Sequence, residues 1–238
     1  MQNANRFNAL AIALGIFLGL SALGYLLAKA AIDVKEYERT VTVKGLAEQE
    51  FTADVVIWPI QFTLASNDLA SLYQDIDANT ETIIDFLTDQ GIDREDITIG
   101  TPTITDKSAQ QYGQIRAQFR YAGEQTVTVY SDAIDTVRQV MGKLSALGKQ
   151  GIVLTGNSYQ SQTEYLFTRL NEVKPAMIEE ATRKAREVAQ KFAQDSDSRL
   201  GKIRRASQGQ FSISPRDNNT PHIKKVRVVS TIEYYLSD

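Results

Sequence analysis

Cysteine is absent from the 238 residues of this chain, and histidine occurs once, as His222. Without thiols the chain forms no disulfide, no thiolate zinc site and no cysteine nucleophile. One histidine cannot build a usual zinc site, and no H-E-x-x-H pattern exists. The lack of thiols also suits an oxidising compartment. We therefore predict no metal site and no cofactor.

Catalytic motifs are missing as well. A Ser-His-Asp triad would have to use His222, and no G-x-S-x-G turn supplies its serine, since residues 156–160 read GNSYQ. Neither a P-loop nor a G-x-G-x-x-G fingerprint occurs. The acidic runs at 93–96 and 195–197 lack the spacing of a calcium loop. We predict no catalytic residue and no metal ligand, and keep a carboxylate-dependent hydrolase as the remote alternative, because the chain has 29 acidic residues.

Excess positive charge is absent too. The formal net charge is −3, and without residues 1–32 the chain keeps 24 basic residues against 29 acidic ones. Binding to nucleic acid needs a basic surface that engages phosphates. We therefore expect no nucleic-acid partner.

One long apolar run stands near the N-terminus. Residues 9–28 carry no charged side chain. Twenty helical residues span about 30 Å, the thickness of the hydrocarbon core of a bilayer. The run is apolar on every face, which is typical of a membrane helix rather than of a soluble one. The predicted membrane-spanning residues include Ala9, Leu10, Ile12, Leu14, Ile16, Phe17, Leu18, Leu20, Leu23, Leu26 and Leu27.

A cleaved signal peptide is the alternative. Its apolar region is usually only about 7–15 residues long, so length favours a retained anchor. Ala28 and Ala30, however, form the small-x-small pattern of a signal peptidase site. Positive charges flank both ends of the run, so they do not fix its orientation. We predict an anchor or signal segment at 1–32, a connector at 33–39 and one domain at 40–238.

Alternating patterns predict strands after the connector. Residues 40–45 alternate and predict a strand that ends at Gly45. In residues 54–65 every second position from 56 to 64 is apolar, and Pro59 on the opposite phase favours an edge strand or a bulge. Trp58 belongs to the apolar row, so we interpret it as core packing, with a ligand platform as the alternative. Further strands are predicted at 96–105, 115–121 and 126–130 (a hairpin turning at Ala122-Gly123), 151–162, 201–214 and 224–236.

Three helices are predicted between these strands. The first runs over 69–87, with Asn67 and Asp68 as caps and Gly91 beyond its end. The second follows Ser131 and Asp132 and continues to Gly148. The third and longest runs from about Tyr165 to Gln194, with Pro175 as a bend or as the true start. The apolar stripe predicted for the third helix is Leu170, Val173, Met177, Ala181, Ala185, Val188 and Phe192.

This order of elements predicts an α+β fold. We expect largely antiparallel sheet or sheets with three main helices packed on one face, preceded by an N-terminal transmembrane or signal helix. Ala181, Ala185 and Ala189 form a row of small residues on the long helix. The row would let another element approach closely, which makes it a candidate face for self-association. Packing against the sheet of the same chain is the alternative.

Several segments resemble the SIMPL-domain family of bacterial cell-envelope proteins. The similarity covers about residues 40–236 and includes VTVKGLAEQEFTAD, VVIWPIQF, LTDQGIDREDITI, RYAGEQTVTV and GKQGIVLTGNSYQ. Its best segment is the Ala-rich helix AMIEEATRKAREVAQKFAQ followed by RLGKIRRAS. The matching positions there are Ala181, Lys184, Ala185, Ala189, Leu200, Gly201 and Ile203.

The resemblance implies an envelope location, an α+β fold prone to homo-oligomerisation and a link to oxidative or envelope stress. It implies no catalytic residues. We therefore expect a protein held in the inner membrane by its N-terminal helix, with its domain in the periplasm, or a cleaved and secreted form of it. We expect it to be a structural or interaction protein that self-associates, with an envelope protein as a further partner. A protein that binds a small ligand or an envelope polymer and a ring or channel-like oligomer stay open as alternatives.

Overall fold

The computed structural model describes residues 2–37, 39–110, 118–155 and 162–237. Its helices are α1 (Gln2–Tyr37), α2 (Leu69–Asp89), α3 (Ile134–Met141), α4 (Ser145–Lys149) and α5 (Leu170–Asp195), with 3-10 turns at Arg94–Asp96 and Lys107–Gln110. Its strands are β1 (Thr40–Thr52), β2 (Val55–Ser66), β3 (Ile97–Ile99), β4 (Thr103–Asp106), β5 (Tyr121–Ser131), β6 (Val153–Leu154), β7 (Glu164–Leu166), β8 (Arg199–Gln208), β9 (Ser212–Pro215) and β10 (Ile223–Ser237).

The described strands form two sheets. One has the order β1-β10-β8, with β9 also paired to β10, and β8 runs antiparallel to β10. The other has the order β3-β5-β2-β6, with β4 on β5 and β7 on β2, and its pairs are antiparallel. The predicted α+β class with antiparallel sheets and an N-terminal apolar helix is therefore confirmed.

The chain divides into two compact units. Unit 1 comprises Met1–Glu48, Lys174–Ser212 and Arg227–Asp238. Unit 2 comprises Gln49–Val173 and Ile213–Val226. Each unit has a hydrophobic cluster of its own.

The core of unit 2 forms around the long β2–β5 pair. The two strands stay in register from Val56 opposite Ser131 to Ser66 opposite Tyr121. Trp58 is 4% exposed within the core, so its interpretation as core packing is confirmed. The apolar faces of α2 and α3 pack on the same core. The buried residues of these elements include Val56, Ile60, Phe62, Leu72, Ile76, Ile83, Leu87, Val137 and Val140.

Pro59 sits in the interior of the sheet without disturbing it. On the side opposite β5, strand β2 pairs with β7 over 55–57 and with β6 over 62–63. Pro59 falls between these two pairings, at a position where the missing N–H removes no bond to either short strand. The predicted edge strand or bulge is therefore wrong, because β2 lies between other strands and its register with β5 is continuous. The proline is tolerated because it falls in the gap between β7 and β6.

The two ends of α2 follow their sequence signals. The Asp68 side chain accepts a hydrogen bond from the Ser71 backbone N–H at 2.8 Å, which satisfies one of the free donors of the first turn. Gly91 follows the C-cap with φ +89°, a conformation that glycine adopts without strain. The predicted cap at Asp68 and the predicted glycine beyond the helix are both confirmed.

The predicted hairpin turn at Ala122-Gly123 is wrong. Both residues lie inside β5, where Ala122 pairs with Ala65 and Gly123 pairs with Leu64. A Cβ on Gly123 would lie 2.8 Å from Ile76 Cδ1, so this glycine serves close packing beneath α2 rather than a turn. The strand predicted just before it, and the one predicted at 151–162, fall partly on residues 111–117 and 156–161, outside the described residues.

The second predicted helix is in fact two helices. The chain leaves α3 at Gly142 and enters α4 at Ser145. Glycine has a low helix propensity, which agrees with a break at this position. The start also differs, because Ala133 is the N-cap of α3 and Ser131 Oγ accepts a hydrogen bond from its N–H at 3.2 Å.

The longest helix begins later than predicted. Tyr165 belongs to β7, where it pairs with Val56 of β2 and is 8% exposed. The helical spacing of Tyr165 in the sequence is therefore misleading, because its strand pairing and its burial place it in β7. Pro175 then lies inside α5 rather than at its start.

The core of unit 1 lies between α5 and the sheet. Val43 of β1 and Ile232 and Tyr234 of β10 are buried there against the α5 residues Ala185 and Ala189. The predicted end of β1 at Gly45 is wrong, because the strand continues to Thr52. Gly45 faces α5 in mid-strand, and its hydrogen in place of a Cβ permits the close approach of the helix.

The buried stripe of α5 also differs from the predicted one. The buried residues of α5 occur at every fourth position, and all of them after the first are alanines. Val188 is 39% exposed and Phe192 is 55% exposed, so these larger apolar residues lie outside the core. The buried residues are Met177, Ala181, Ala185, Ala189 and Ala193.

Candidate interaction surfaces

Helix α1 presents an apolar surface that nothing in the described chain covers. Its segment Ala13–Ile32 has a mean hydropathy of 1.7 and no buried residue. It is the one helix of the described residues long and apolar enough to cross a membrane, and a signal sequence meets the same criteria. Ala9, Leu10 and Ile12 precede this segment in the same helix, and Ala28 and Ala30 lie within it. The predicted spanning residues that are more than half exposed are Leu14, Ile16, Phe17, Leu18, Leu20, Leu23, Leu26 and Leu27.

Strand β8 forms an open edge of the smaller sheet. Within the described residues β10 is its only strand partner, so its other edge presents free backbone N–H and C=O groups. Nine of its ten residues are exposed, and the tenth, Leu200, is half-buried. Such a strand is open on its edge and on both faces.

The register explains why both faces of β8 are open. Ile203 lies opposite Tyr234, and directly opposed residues of an antiparallel pair point to the same face. Tyr234 is only 3% exposed whereas Ile203 is 49% exposed. The packing that buries Tyr234 of β10 therefore does not extend over Ile203 of β8.

The charges of β8 all have the same sign. Arg199, Lys202, Arg204 and Arg205 are its charged residues. Arg204 pairs with Glu233 of β10 at 3.0 Å. The other three form no ion pair with an acid among the described residues. The open edge is therefore also a cationic one.

Helix α2 carries the opposite charge on its exposed side. Asp77, Glu81, Asp85 and Asp89 follow one another at intervals of four residues, and all four are exposed. The helix contains no basic residue, and no Lys or Arg of the described chain pairs with these four acids. Like charges four residues apart destabilise a helix by about 0.2–0.5 kcal/mol per pair. The spacing is visible in the sequence, yet no surface was predicted from it.

The candidate self-association row lies inside unit 1. Ala181, Ala185 and Ala189 have no exposed surface. A Cβ placed on Gly45 of β1 would come within 2.5 Å of the Ala185 backbone nitrogen, which shows how closely strand and helix approach. The row is thus occupied by this chain's own sheet, and a second copy would have to use another surface.

His222 lies against an aromatic ring in unit 2. Its ring is 6.0 Å from the Tyr165 ring in an edge-on arrangement, and its carbonyl accepts a hydrogen bond from Ala53 N–H at 2.8 Å. Burial, followed by the positive charge of Arg138, lowers the pKa of His222, and burial raises the pKa of Tyr165. No hydrogen bond within the described chain links the His222 ring to a serine or a carboxylate. The described residues also contain no group of three or more His, Asp or Glu that could hold a metal.

Lys224 is a buried charge that was not predicted from the sequence. It occupies the inward row of β10 that continues with Val226 and Val228, and it is 8% exposed. Burial lowers its pKa, and the negative charge of Glu164 opposes that effect. The sequence signal for this burial is the alternation of Lys224 with Val226 and Val228, which places the three side chains on one face of the strand.

An open hollow lies at the start of α3. It is lined by residues 52–53 and 132–136, with Asp132 and Asp135 as its charged members. Trp58 takes no part in its lining. The hollow therefore gives no support to the alternative of a ligand site built on that ring.

Comparison with known families gives one match. The SIMPL family model, described as a protein of unknown function (DUF541), matches residues 41–231. No protein with a curated description matches the chain. The matched region covers well over half of the chain and includes every element from β1 into β10. The chain belongs to the SIMPL family.

Proposed function

We propose that this protein is a membrane-tethered interaction protein of the bacterial cell envelope, with its α+β domain outside the cytoplasm, and that it self-associates. The observation that carries the proposal is the open edge of β8, which is exposed along nearly its whole length. An unpaired edge of this kind leaves its side chains and backbone groups available to another chain.

The tether is supported by α1. A segment of twenty residues with a mean hydropathy of 1.7, with Lys29 as its one charged residue and without any buried side chain, has a favourable environment only in lipid or in another apolar partner. Since β1 begins at Thr40, shortly after α1 ends at Tyr37, the domain would lie close to the membrane surface. The family resemblance supports placing that domain on the outer side of the inner membrane.

The link to envelope or oxidative stress belongs to the same proposal. The chain contains no cysteine, so a thiol-based response is excluded for it. A contribution to stress resistance would then come from assembly at the membrane. A deletion strain complemented with the wild-type gene should regain resistance to peroxide and to detergent, and a gene lacking the α1 coding segment should not restore it.

Membrane topology tests the tether directly. The full chain should remain in the membrane fraction after alkaline washing, with a mass that includes residues 1–30, and protease added to spheroplasts should digest its domain. The variant Leu18→Arg/Leu20→Arg should leave the membrane, because each arginine at the centre of a span costs about 2.5–3.5 kcal/mol on insertion scales. Leu18→Ala/Leu20→Ala is the matched control and should stay. A soluble mature protein that begins at Ala31, or a domain protected from protease in spheroplasts, would contradict the proposal.

Self-association is tested on the full chain in detergent. Light scattering on a sizing column over a hundredfold range of concentration should show a protein mass that is a multiple of 26.5 kDa. A mass that stays at that of one chain throughout would contradict self-association.

A further inference from the structure

We propose that the cationic edge strand β8 of one copy binds the acidic side of α2 of a second copy. This inference rests on the proposed self-association and assigns the two surfaces that form it. The basic edge is defined as Arg199, Lys202 and Arg205, and the acidic stripe is defined as Asp77, Glu81, Asp85 and Asp89.

The basic edge has no ion-pair partner among the described residues. Its three cations form no ion pair with an acid of the described residues, unlike Arg204, which Glu233 neutralises at 3.0 Å. Ile203 stands among them at 49% exposure on a face that α5 does not cover. The edge therefore offers three unpaired cations, one apolar side chain and free backbone groups to a partner.

The acidic stripe is the complementary surface of the same chain. Unit 1 contains 15 Lys and Arg against 11 Asp and Glu, whereas unit 2 contains 11 against 18. β8 belongs to the positive unit and α2 belongs to the negative one. Two copies therefore attract through unlike units and repel through like ones, which favours a contact between β8 and α2.

The lengths of the two charged rows also agree. From Asp77 to Asp89 the helix rises about 18 Å, at 1.5 Å per residue. From Arg199 to Arg205 an extended strand covers about 20 Å, at 3.3 Å per residue. Successive charges are about 6 Å apart along the helix, at intervals of four residues, and about 10 Å apart along the strand, at intervals of three. The stripe can therefore lie along the whole edge, with its two ends beside the outer cations.

A symmetric pairing of two β8 edges is disfavoured. It would place four basic residues of one strand beside the same four of the other, without an acid in either strand. Strand β8 also has register irregularities against β10 on both sides of Tyr234. Bulges and lysines or arginines on an edge are devices that prevent strand-to-strand pairing. They do not hinder a helix that docks through side chains.

Each copy carries both surfaces. The contact can therefore form twice across a two-fold axis, which closes a dimer, or once with each of two neighbours, which builds a ring or an open chain. It also predicts that the two surfaces can be altered separately and repaired together.

Charge reversal on the full chain in detergent tests the inference. The edge variant is Lys202→Glu/Arg205→Glu, and the stripe variant is Glu81→Lys/Asp85→Lys. The control is Lys107→Glu/Lys149→Glu, which changes the net charge as the edge variant does but lies on exposed residues outside β8. We expect each of the first two variants to raise the apparent dissociation constant of self-association at least about tenfold, and the control to leave it within about threefold. The wild-type constant should rise as NaCl is increased from about 50 mM to about 500 mM.

Complementation separates this contact from a general charge effect. An equimolar mixture of the edge variant and the stripe variant should form mixed complexes, and a chain that carries all four substitutions should associate about as strongly as wild type. Circular dichroism and thermal unfolding of each variant verify that it is folded. A misfolded variant is replaced by Lys202→Gln/Arg205→Gln, which removes the charges without reversing them and should weaken association by a smaller factor.

Three results would overturn the inference. If wild type self-associates and both reversals leave its dissociation constant unchanged, the β8–α2 contact is wrong while the proposed self-association stands. If wild type stays monomeric at every concentration, both are wrong. If the edge variant loses binding only to vesicles that contain anionic lipid and keeps wild-type self-association, the edge serves a membrane surface and the contact is again wrong.

Discussion

Gly45 of β1 lies directly against Ala181 of α5. A Cβ placed on Gly45 would come within 1.8 Å of the Ala181 carbonyl oxygen and within 2.5 Å of the Ala185 backbone nitrogen. Both obstacles are backbone atoms, so no side-chain rotation can make room. The core of unit 1 therefore depends on a glycine facing a row of alanines.

This contact predicts that Gly45→Ala strongly destabilises unit 1. Overpacking a core usually costs about 1–3 kcal/mol, and here relief requires that the whole of α5 moves away from the strand. We expect a loss of about 3 kcal/mol or more in the free energy of unfolding, measured by urea denaturation followed by circular dichroism. Gly148→Ala in α4 is the control, since no atom lies within 4 Å of its added Cβ. Equal stability of Gly45→Ala and wild type would contradict the close approach.

The same contact shows what the sequence could not predict. Hydrophobicity placed Val188 and Phe192 in the buried stripe of α5, whereas both are exposed. The distance between strand and helix decides which residues fit, and that distance follows from Gly45, 136 residues before Ala181 in the chain. Local spacing predicted the helix, but only the long-range contact selects its buried side.

Where local rules suffice, the sequence was accurate. Asp68 and Gly91 mark the ends of α2 because a cap and a positive φ are properties of a few neighbouring residues. Gly123 was interpreted as a turn because glycine serves both turns and close packing, and only the contact with Ile76 distinguishes the two. The open edge of β8 could not be predicted either, since an unpaired edge is a property of the order of strands in the sheet.

Asp54 ties β7 and the start of α5 to the end of β1 in unit 2. Its carboxylate accepts hydrogen bonds from the backbone N–H of Thr168 at 2.8 Å and of Arg169 at 3.1 Å, and it pairs with the Arg169 side chain at 3.2 Å. Burial by itself raises the pKa of Asp54, but these hydrogen bonds outweigh it and hold the pKa below its ordinary value.

We therefore expect a pH-dependent contribution from Asp54. Because the pKa of Asp54 in the folded protein is lowered, the stabilisation is fully present above the ordinary aspartate value of about 4 and is lost as the pH falls through the folded value. Asp54→Asn should lower the free energy of unfolding by about 1–3 kcal/mol at pH 7, and its difference from wild type should shrink below about pH 4.

Thermal unfolding at a series of pH values from 7 to 3 measures this effect. Asp75→Asn serves as the control, since Asp75 is exposed on α2 and makes no hydrogen bond through its side chain with the described residues. A difference between Asp54→Asn and wild type that stays constant down to pH 3 would argue against the role of the charged carboxylate.

Trp58 is the single tryptophan of the chain and is 4% exposed in the core of unit 2. We expect a blue-shifted fluorescence emission and weak quenching by acrylamide in the folded protein, because the ring is shielded from solvent. Denaturation in urea should shift the emission to the red and restore quenching. Strong quenching in the native state would instead show an accessible ring, and would revive the alternative of a ligand platform at Trp58.

Substitution of Lys224 is expected to stabilise the protein, unlike the substitutions of Gly45 and Asp54. The side chain lies in the inward row of β10, and its burial lowers the pKa of the ammonium group. A lowered pKa means that folding disfavours the charged form, so the protein should gain stability as the pH rises towards the ordinary lysine value of about 10.4. Lys224→Met keeps the length of the side chain and removes the buried charge, which is often neutral or stabilising.

We expect Lys224→Met to raise the melting temperature at pH 7, and the gain to diminish as the pH rises towards 10, because the lowered pKa makes the wild-type lysine lose its charge in the folded protein before it does so in the unfolded chain. Lys107→Met is the control in the same unit, because Lys107 is exposed and its substitution should leave the melting temperature unchanged. The neighbouring charge of Glu164 favours the ammonium form, so the gain is smaller than for a lysine buried without an acid nearby. A large drop in melting temperature for Lys224→Met would show that the Glu164 attraction exceeds the cost of burial, and that Lys224 stabilises unit 2 through its charge.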